Sequence, residues 1–164
     1  MISIRHAEGS DAAELVALAA AIGGEPGGWL LTTEAWRPVA DERRYLKAVR
    51  RHADAAVLVA LDDDRIVGRL SLARDPHPAS NHVADLGMMV AASHRRRGIG
   101  RKLLEAAVSW ARAAGVEKLE LHVFPWNEPA MRLYEDFGFE REGLRRRHYL
   151  RDGVAVDALL MAYH

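Results

Sequence analysis

The sequence lacks cysteine and lacks an excess of charge of either sign. Its 164 residues include no cysteine, 23 lysines and arginines, and 23 aspartates and glutamates, so the formal net charge is zero. The missing thiols exclude a cysteine nucleophile and a thiolate metal site. The balanced charge argues against a dedicated nucleic-acid binder, because affinity for phosphates depends on an excess of cations.

Long hydrophobic runs are also missing. No apolar stretch approaches the roughly 20 residues that span a bilayer, and residues 1–8 lack the apolar segment of a signal peptide. The composition, 49% hydrophobic and 28% charged, is that of a globular protein. We therefore expect one domain over residues 1–164, cytoplasmic, with neither a membrane nor a nucleic acid as a partner.

Hydrophobic periodicity predicts the secondary structure. Strands are expected at residues 2–4, 55–61, 66–73, 83–90 and 119–123 and on both sides of the turn at Asp152-Gly153. Helices are expected at residues 12–22 and 41–52. A third begins at Ile99 and stops at Gly115, and a fourth is opened by Asn127 and Pro129 and ends at Gly138. A hairpin meander combined with crossover helices predicts an α+β fold around one mixed sheet.

The loop between the fourth strand and the third helix is rich in arginine and glycine. It reads Arg95-Arg96-Arg97-Gly98-Ile99-Gly100-Arg101. The first turn of a helix carries unpaired N–H groups and a partial positive charge. Glycine lets the backbone approach a bulky anion, and arginine pairs with its oxygens. The loop therefore predicts a phosphate or pyrophosphate cradle. The competing interpretation is a solvated basic loop.

This loop and a later segment together resemble the GNAT family of N-acetyltransferases. Residues 95–100 are similar to the R-x-x-G-x-G signature with which that family binds acetyl-CoA. Residues 127–139 are similar to its N-x-x-A-x-x-L-Y-x-x-x-G-F segment. The two motifs follow in the family's order with a predicted strand between them. Residues 143–161 resemble the bacterial branch that includes amino-acid N-acetyltransferases.

The resemblance implies a GNAT-like fold, with a mixed, mostly antiparallel sheet of about seven strands flanked by about four helices. It implies acetyl-CoA as the co-substrate, no metal, and direct attack of a primary amine in a ternary complex. A small-molecule amine is the expected acceptor, with amino acids first. A protein or peptide N-terminus, a polyamine, and an antibiotic or herbicide amine stay open. It also implies a homodimer, because many relatives pair through their last strands.

Two interpretations from other classes stay open. One is a non-catalytic module that senses CoA, in which the cradle binds the cofactor and no amine is acetylated. The other is a nucleic-acid binder that uses the arginine-rich loops, against which the zero net charge counts.

The resemblance implies cofactor contacts for three groups of residues. The backbone of Met88, Met89 and Val90 would bond pantetheine, which lies between two splayed strands in the family. The loop from residue 95 to residue 101 would hold the pyrophosphate. Asn127 would contact the cofactor and also cap its own helix.

Tyr134 is the predicted general acid. A phenol with a pKa near 10 is roughly matched to a departing thiolate, and its place after Asn127 matches the family's acid, which also makes it a cofactor contact. The alternative is a ring that only packs on the sheet. Asp85, on the cofactor strand, is the predicted base, acting through a water, with a salt bridge as the alternative. His122 is a second candidate base.

Two further groups of residues allow more than one interpretation. The last hairpin carries the basic residues Arg141, Arg145, Arg146, Arg147, His148 and Arg151. They are interpreted as a solvated strand edge, or as a site for an acidic acceptor or for the 3′-phosphate of the cofactor. Trp29, Trp36 and Trp126 are interpreted as core residues, or as the lining of an acceptor pocket with the glycine-rich loop at residues 23–28 as its lid.

Overall fold

One sheet contains all seven strands of the described residues. The computed structural model describes residues 1–30 and 36–164. The strands are β1 (Ile2–His6), β2 (Ala55–Asp62), β3 (Arg65–Arg74), β4 (Val83–Val90), β5 (Lys118–Val123), β6 (Glu140–Arg151) and β7 (Val154–Tyr163). They are ordered β1-β2-β3-β4-β5-β7-β6 across the sheet. The pair β4–β5 is parallel and the other five neighbouring pairs are antiparallel.

Two layers of helices cover the two faces of this sheet. The helices are α1 (Ala12–Gly23), α2 (Val39–Arg50), α3 (Ile99–Ala114) and α4 (Glu128–Phe137). Apolar residues of α1 and α2 form a core with β2 and with single residues of β3 and β4. Those of α3 and α4 form a larger core on the opposite face. No helix in the two described segments is long and apolar enough to cross a membrane.

The predicted α+β fold with a mixed, mostly antiparallel sheet is confirmed, and β4 has the predicted bounds. The second helix differs from the prediction at both ends, since it begins at Val39 and ends at Arg50. Pro38 occupies its N-cap position with φ −57° and ψ 152°. A proline is favourable just before or at the first turn because the turn does not need its missing N–H.

The parallel strands β4 and β5 separate after a short paired segment. Their register joins residues 83–85 to residues 118–120, and no later pair is formed in the described part of the chain. Yet β4 continues to Val90 and β5 to Val123. The outer edges of these strands stay paired, β4 with β3 and β5 with β7. The divergence therefore leaves a cleft in the middle of the sheet, lined by one unpaired edge of each strand.

Candidate active site

The unpaired edge of β4 presents backbone groups to the cleft. The N–H of Ala91 donates to the carbonyl of Val67 at 2.8 Å, and in an antiparallel pair bonded and non-bonded positions alternate. Met89, two residues before Ala91, therefore directs its N–H and C=O toward β3. The backbone groups of Met88 and Val90 face the cleft. An extended ligand can pair with such an edge as an additional strand does.

The N-terminus of α3 supplies a second set of free donors. Gly98 is the N-cap with φ +78°, and nothing lies within 4 Å of the position that a Cβ would take. The N–H of Lys102 donates to the carbonyl of Gly98 at 3.1 Å. The N–H groups of Ile99, Gly100 and Arg101 therefore precede the helical hydrogen bonds. Free N–H groups at a helix start, with open space beside them, fit a phosphate group.

Gly100 has a different role from Gly98. A Cβ on Gly100 would lie 2.7 Å from Cδ2 of Leu133 on α4 and 3.4 Å from Cε of Met88 on β4. The missing side chain therefore lets the start of α3 lie close to both neighbours. Gly98 keeps the cradle open, whereas Gly100 brings the cradle close to the cleft.

The arginines of the loop divide into two groups. Arg95 donates from Nη1 and Nη2 to the two carboxylate oxygens of Glu25, at 2.6 and 2.8 Å, and from Nε to the carbonyl of Val90 at 3.1 Å. Arg96 and Arg97 are exposed and form no ion pair within residues 1–30 and 36–164. These two side chains, rather than Arg95, are free to meet an anion at the start of α3.

Arg101 and Asn127 are both held by neighbouring groups. The guanidinium of Arg101 lies 5.5 Å from the ring centroid of Phe137, with Nε 3.5 Å from a carboxylate oxygen of Glu105. The side-chain oxygen of Asn127 accepts from the N–H of Ala130 at 3.3 Å and so caps α4. The cap engages only the oxygen, so the amide nitrogen of Asn127 keeps donors for a ligand.

Tyr134 is buried on α4, with 6% of its surface exposed. Its ring packs on Phe139 with centroids 5.5 Å apart. Burial raises the pKa of the Tyr134 phenol far above its ordinary value, so the hydroxyl is protonated at physiological pH. That hydroxyl has no hydrogen-bond partner among the described residues. A neutral, unengaged phenol can donate a proton, but its raised pKa makes it a weaker acid than the phenol with a pKa near 10 that the sequence-based prediction assumed.

Two carboxylates meet where β4 and β5 separate. Asp85 and Glu120 are partners in the last paired position of the parallel register. Partial burial raises the pKa of both side chains, and the charge of Asp85 raises that of Glu120 further. A group with a raised pKa accepts a proton more readily than an ordinary carboxylate does. The sequence placed Glu120 and His122 on one face of a strand, but the pairing with Asp85 depends on a register that alternation cannot reveal.

His122 follows on the same face of β5. Its Nδ1 lies 2.8 Å from the hydroxyl of Tyr149 on β6, and its ring meets that of His148 edge-on at 5.3 Å. Burial and the nearby charge of Arg145 lower the pKa of His122, so the ring is neutral at physiological pH. The face of the cleft opposite Tyr134 thus carries an acidic pair and a neutral imidazole.

The glycine-rich loop after α1 reaches across the cleft. Trp126 donates from Nε1 to the carbonyl of Gly27 at 3.2 Å. Arg151 donates to the carbonyl of Leu30 at 2.5 Å, and its guanidinium lies 5.0 Å from the ring centroid of Phe124. These contacts join the loop to β6 and to the segment after β5.

The three tryptophans considered for an acceptor pocket, Trp29, Trp36 and Trp126, do not lie together. Trp126 stacks on Phe124 at 4.5 Å, and the ring of Trp29 folds over Gly27, whose Cβ would clash with it. Trp29 and Trp126 therefore both contact Gly27 of the loop. Trp36 lies apart, beside Glu42 of α2.

The basic residues of the last hairpin do not form one patch. Arg141 pairs with Glu135 of α4 at 2.8 Å, and Arg151 contacts the glycine-rich loop. Arg145 lies near the cleft, where its charge acts on Asp85 and His122. The strand that carries them, β6, is an edge strand, exposed along most of its length.

A chain of hydrogen bonds anchors the segment before the cradle. Ser93 Oγ lies 2.7 Å from His94 Nδ1, and His94 Nε2 lies 2.9 Å from Asp62 Oδ2. The contact between His94 and Asp62 ties the segment to the last residue of β2. Local patterns could not predict this contact, because Asp62 precedes His94 by 32 positions. No group of three or more His, Cys, Asp or Glu side chains that could hold a metal ion occurs in the described residues.

Comparisons with known proteins were made for the sequence and for the structure. Residues 13–139 match the profile of the Acetyltransferase (GNAT) family. The L-amino acid N-acetyltransferase AaaT of Escherichia coli (strain K12) is 38% identical over 109 residues. That alignment covers 64% of this chain and 65% of AaaT, slightly less than two-thirds of that relative's length.

Two crystal structures superpose on almost the whole chain. An acetyltransferase of the GNAT family from Streptococcus pneumoniae has a TM-score of 0.88 and 28% identity, with 99% of each chain covered. The ribosomal-protein-alanine N-acetyltransferase from Brucella melitensis has a TM-score of 0.87 and 26% identity, with 98% of each chain covered. Both similarities extend over the sheet, the cleft and the cradle.

Proposed function

Because the chain belongs to the GNAT family of acetyltransferases, we propose that it transfers the acetyl group of acetyl-CoA to the primary amine of a free amino acid. The transfer class and the co-substrate follow from the family. The amino-acid acceptor is the finer part of the proposal, supported by the similarity to AaaT, which is named for L-amino acids. The structural observation that best supports acetyl transfer is the separation of β4 from β5 next to the N-terminus of α3.

The cleft and the cradle offer contacts along the length of a CoA molecule. The backbone groups of Met88 lie on the cleft edge and would bond the amides of pantetheine. The carbonyl of Val90 already accepts a hydrogen bond from Nε of Arg95. The first N–H groups of α3, with Arg96 and Arg97, would hold the pyrophosphate. The amide nitrogen of Asn127 would donate to the same ligand. When bound, acetyl-CoA supplies an activated thioester carbon.

The two sides of the cleft carry the two proton-transfer roles. Asp85, together with Glu120, would take the proton that the ammonium of the acceptor must lose, through a water. His122 is the alternative base. Tyr134 would donate its hydroxyl proton to the leaving sulfur from the α4 side. A nitrogen–carbon bond forms and the carbon–sulfur bond breaks. The attacking nitrogen loses its second proton to solvent as the amide forms, and solvent returns a proton to the phenolate of Tyr134.

A protein N-terminus is the second candidate acceptor. The neighbour from Brucella melitensis is named for ribosomal-protein alanine, and an N-terminal alanine offers the same primary amine as a free amino acid. An antibiotic amine and a non-catalytic role as a CoA sensor are further outcomes that the experiment must separate.

The test is a release assay for CoA thiol with acetyl-CoA and a panel of amines. Because the chain has no cysteine, a thiol-reactive dye reports released CoA without a signal from the protein. The panel holds the proteinogenic amino acids, their amides, a peptide with N-terminal alanine, a polyamine and an aminoglycoside. We expect turnover with a subset of the free amino acids. Turnover with the peptide alone would favour the second candidate, and CoA binding in calorimetry without any turnover would favour the sensor.

We propose in addition that the enzyme is a cytoplasmic homodimer. A cytoplasmic location suits an enzyme that consumes acetyl-CoA. The last hairpin supports pairing, because β6 is a sheet edge and Leu144, Leu150 and Val154 are exposed by 53%, 70% and 64%. Sedimentation velocity across a dilution series tests it, since a monomer at every concentration would contradict the proposal.

A further inference from the structure

Arg69 is a buried arginine with unused hydrogen-bond donors. It lies on β3 and is 6% exposed. Within residues 1–30 and 36–164, its Nε and Nη2 have no hydrogen-bond partner. Nη2 lies 3.5 Å from Oε1 of Glu42, close enough for a charge interaction but not hydrogen-bonded. Buried N–H groups normally have acceptors. Because the N–H groups of Nε and Nη2 lack one among the described residues, we expect an acceptor from outside these residues to complete the site.

Arg69 shares one buried carboxylate with a second arginine. Glu42 is fully buried, accepts from Trp36 Nε1 at 2.6 Å, and lies 3.2 Å from Nε of Arg37. The guanidinium of Arg37 stacks on the ring of Tyr45 at 4.2 Å. Among the described residues, two guanidinium groups thus face one carboxylate. The side chain of Arg37 is 38% exposed, so solvent screens its charge. Arg69 is the buried guanidinium of the cluster, and it is the one that lacks hydrogen-bond partners among the described residues.

The position of Arg69 relates it to the cleft. It is the register partner of Met89 on β4, and the side chains of such partners lie on the same face, here that of α1 and α2. Neighbouring strands lie about 4.8 Å apart, so Arg69 is one strand away from the cleft edge formed by Met88. Tyr134 lies on the opposite face, with α3 and α4. An acceptor that approaches from the face opposite Tyr134 therefore approaches from the face of α1 and α2, on which the side chain of Arg69 lies.

We propose that Arg69 binds the α-carboxylate of the acceptor. Nε and Nη2 lie on the same edge of the guanidinium and match the two oxygens of a carboxylate. An α-amino acid has one carbon between its amine and its carboxylate, so binding at Arg69 would hold the amine within a few ångströms of the guanidinium, on the face of the sheet opposite Tyr134. Glu42 Oε1 lies 3.5 Å from the same Nη2 and holds that end of the guanidinium by its charge. This inference rests on the proposed function, because only a free amino acid carries that carboxylate next to the amine.

The first test uses the wild-type enzyme and the best amino acid of the panel. We compare kcat/KM for the free acid, its α-amide and the corresponding amine without a carboxyl group. Because a site built for a polar group rejects analogues that lack it, we expect the acid to be preferred at least tenfold. Equal rates for the acid and the amide would overturn the role of Arg69 and leave the amino-acid function standing. Turnover with no free amino acid would overturn both.

The second test uses variants. Arg69→Lys keeps the charge opposite Glu42 but loses the two-pronged geometry, and we expect the acid-to-amide preference to fall at least tenfold, through KM of the acid. Arg37→Lys is the matched control in the same cluster and should keep the preference. The double variant Glu42→Gln/Arg69→Gln leaves no single buried charge and should also lose the preference, with thermal melting to establish folding. A preference retained in both Arg69 variants would refute the assignment.

Discussion

The guanidinium of Arg95 and the carboxylate of Glu25 form a two-pronged ion pair across the cleft entrance. Nη1 and Nη2 donate to the two oxygens at 2.6 and 2.8 Å. Arg95 belongs to the cradle loop and also bonds the carbonyl that ends β4, whereas Glu25 belongs to the loop after α1. The ion pair therefore connects the cofactor side of the cleft to the loop on the acceptor side, and it engages an arginine that the motif alone assigns to the anion.

Breaking this pair should weaken acceptor binding more than cofactor binding. We expect Glu25→Gln to raise KM for the acceptor about fivefold, which corresponds to ~1 kcal/mol for a partly exposed ion pair. KM for acetyl-CoA should change less. The comparison variant is Arg97→Gln, which removes an exposed cradle cation and should raise KM for acetyl-CoA instead. The same KM pattern in both variants would contradict the division of the arginines.

A side chain at Gly98 should block the cradle. Gly98→Val adds a branched side chain at φ +78° in the open space beside the first N–H groups of α3. We expect affinity for CoA in calorimetry to fall at least about tenfold, or ~1.4 kcal/mol. Gly115→Val is the matched control, because Gly115 ends the same helix at φ +75° with no neighbour within 4 Å. Both variants should lose similar stability from backbone strain, and only Gly98→Val should lose affinity.

Removal of one hydroxyl should separate catalysis from packing at Tyr134. We expect Tyr134→Phe to lower kcat by roughly 10- to 10⁴-fold, the range for a lost general acid, with acetyl-CoA affinity little changed. Its melting temperature should stay near that of the wild type, because the hydroxyl has no partner among the described residues. Tyr163→Phe is the control, since Tyr163 contacts Phe139 in the same aromatic group at 5.4 Å. Wild-type kcat in Tyr134→Phe would assign the proton to another donor.

Local patterns in the sequence predicted the elements and the cradle. The strand at β4 follows from alternation, and the start of α3 follows from Gly98 between a strand and a helical repeat. The residues that form such a pattern lie within a few positions of one another. The preferences that produce a strand or a helix start, backbone geometry and alternating burial, also act over a few positions, so these predictions agree with the structure.

Contacts that join distant parts of the chain were not predictable in this way. Glu25 and Arg95 are 70 positions apart, and neither differs in its local pattern from an ordinary surface charge. Glu42 reads as a residue of an exposed helix face, yet it is fully buried against Arg69 and Trp36. The one available signal was Arg69 inside the largely apolar strand predicted at residues 66–73. An unpaired charge there requires a partner.

The carboxylate pair predicts a dependence of stability on pH. The pKa values of Asp85 and Glu120 are both raised in the folded state. Each group therefore adds stability that is fully present below its unfolded pKa and is lost as pH rises through the folded pKa. At neutral and alkaline pH the wild type holds both groups in their disfavoured charged form, so removing one charge should stabilise the fold there.

Glu120→Gln tests this dependence while it keeps a hydrogen-bonding group beside Asp85. We expect its melting temperature to exceed that of the wild type at about pH 8, and the difference to shrink or reverse at about pH 4, where the carboxyl is protonated. The exposed Glu117, near the start of the same strand, provides the control, since Glu117→Gln should change stability by no more than about 0.5 kcal/mol. A variant less stable than the wild type at about pH 8 would show that the charged pair stabilises the fold. Because a raised pKa also suits a base, the same variant should lower kcat/KM, so that greater stability and reduced activity occur together at one site.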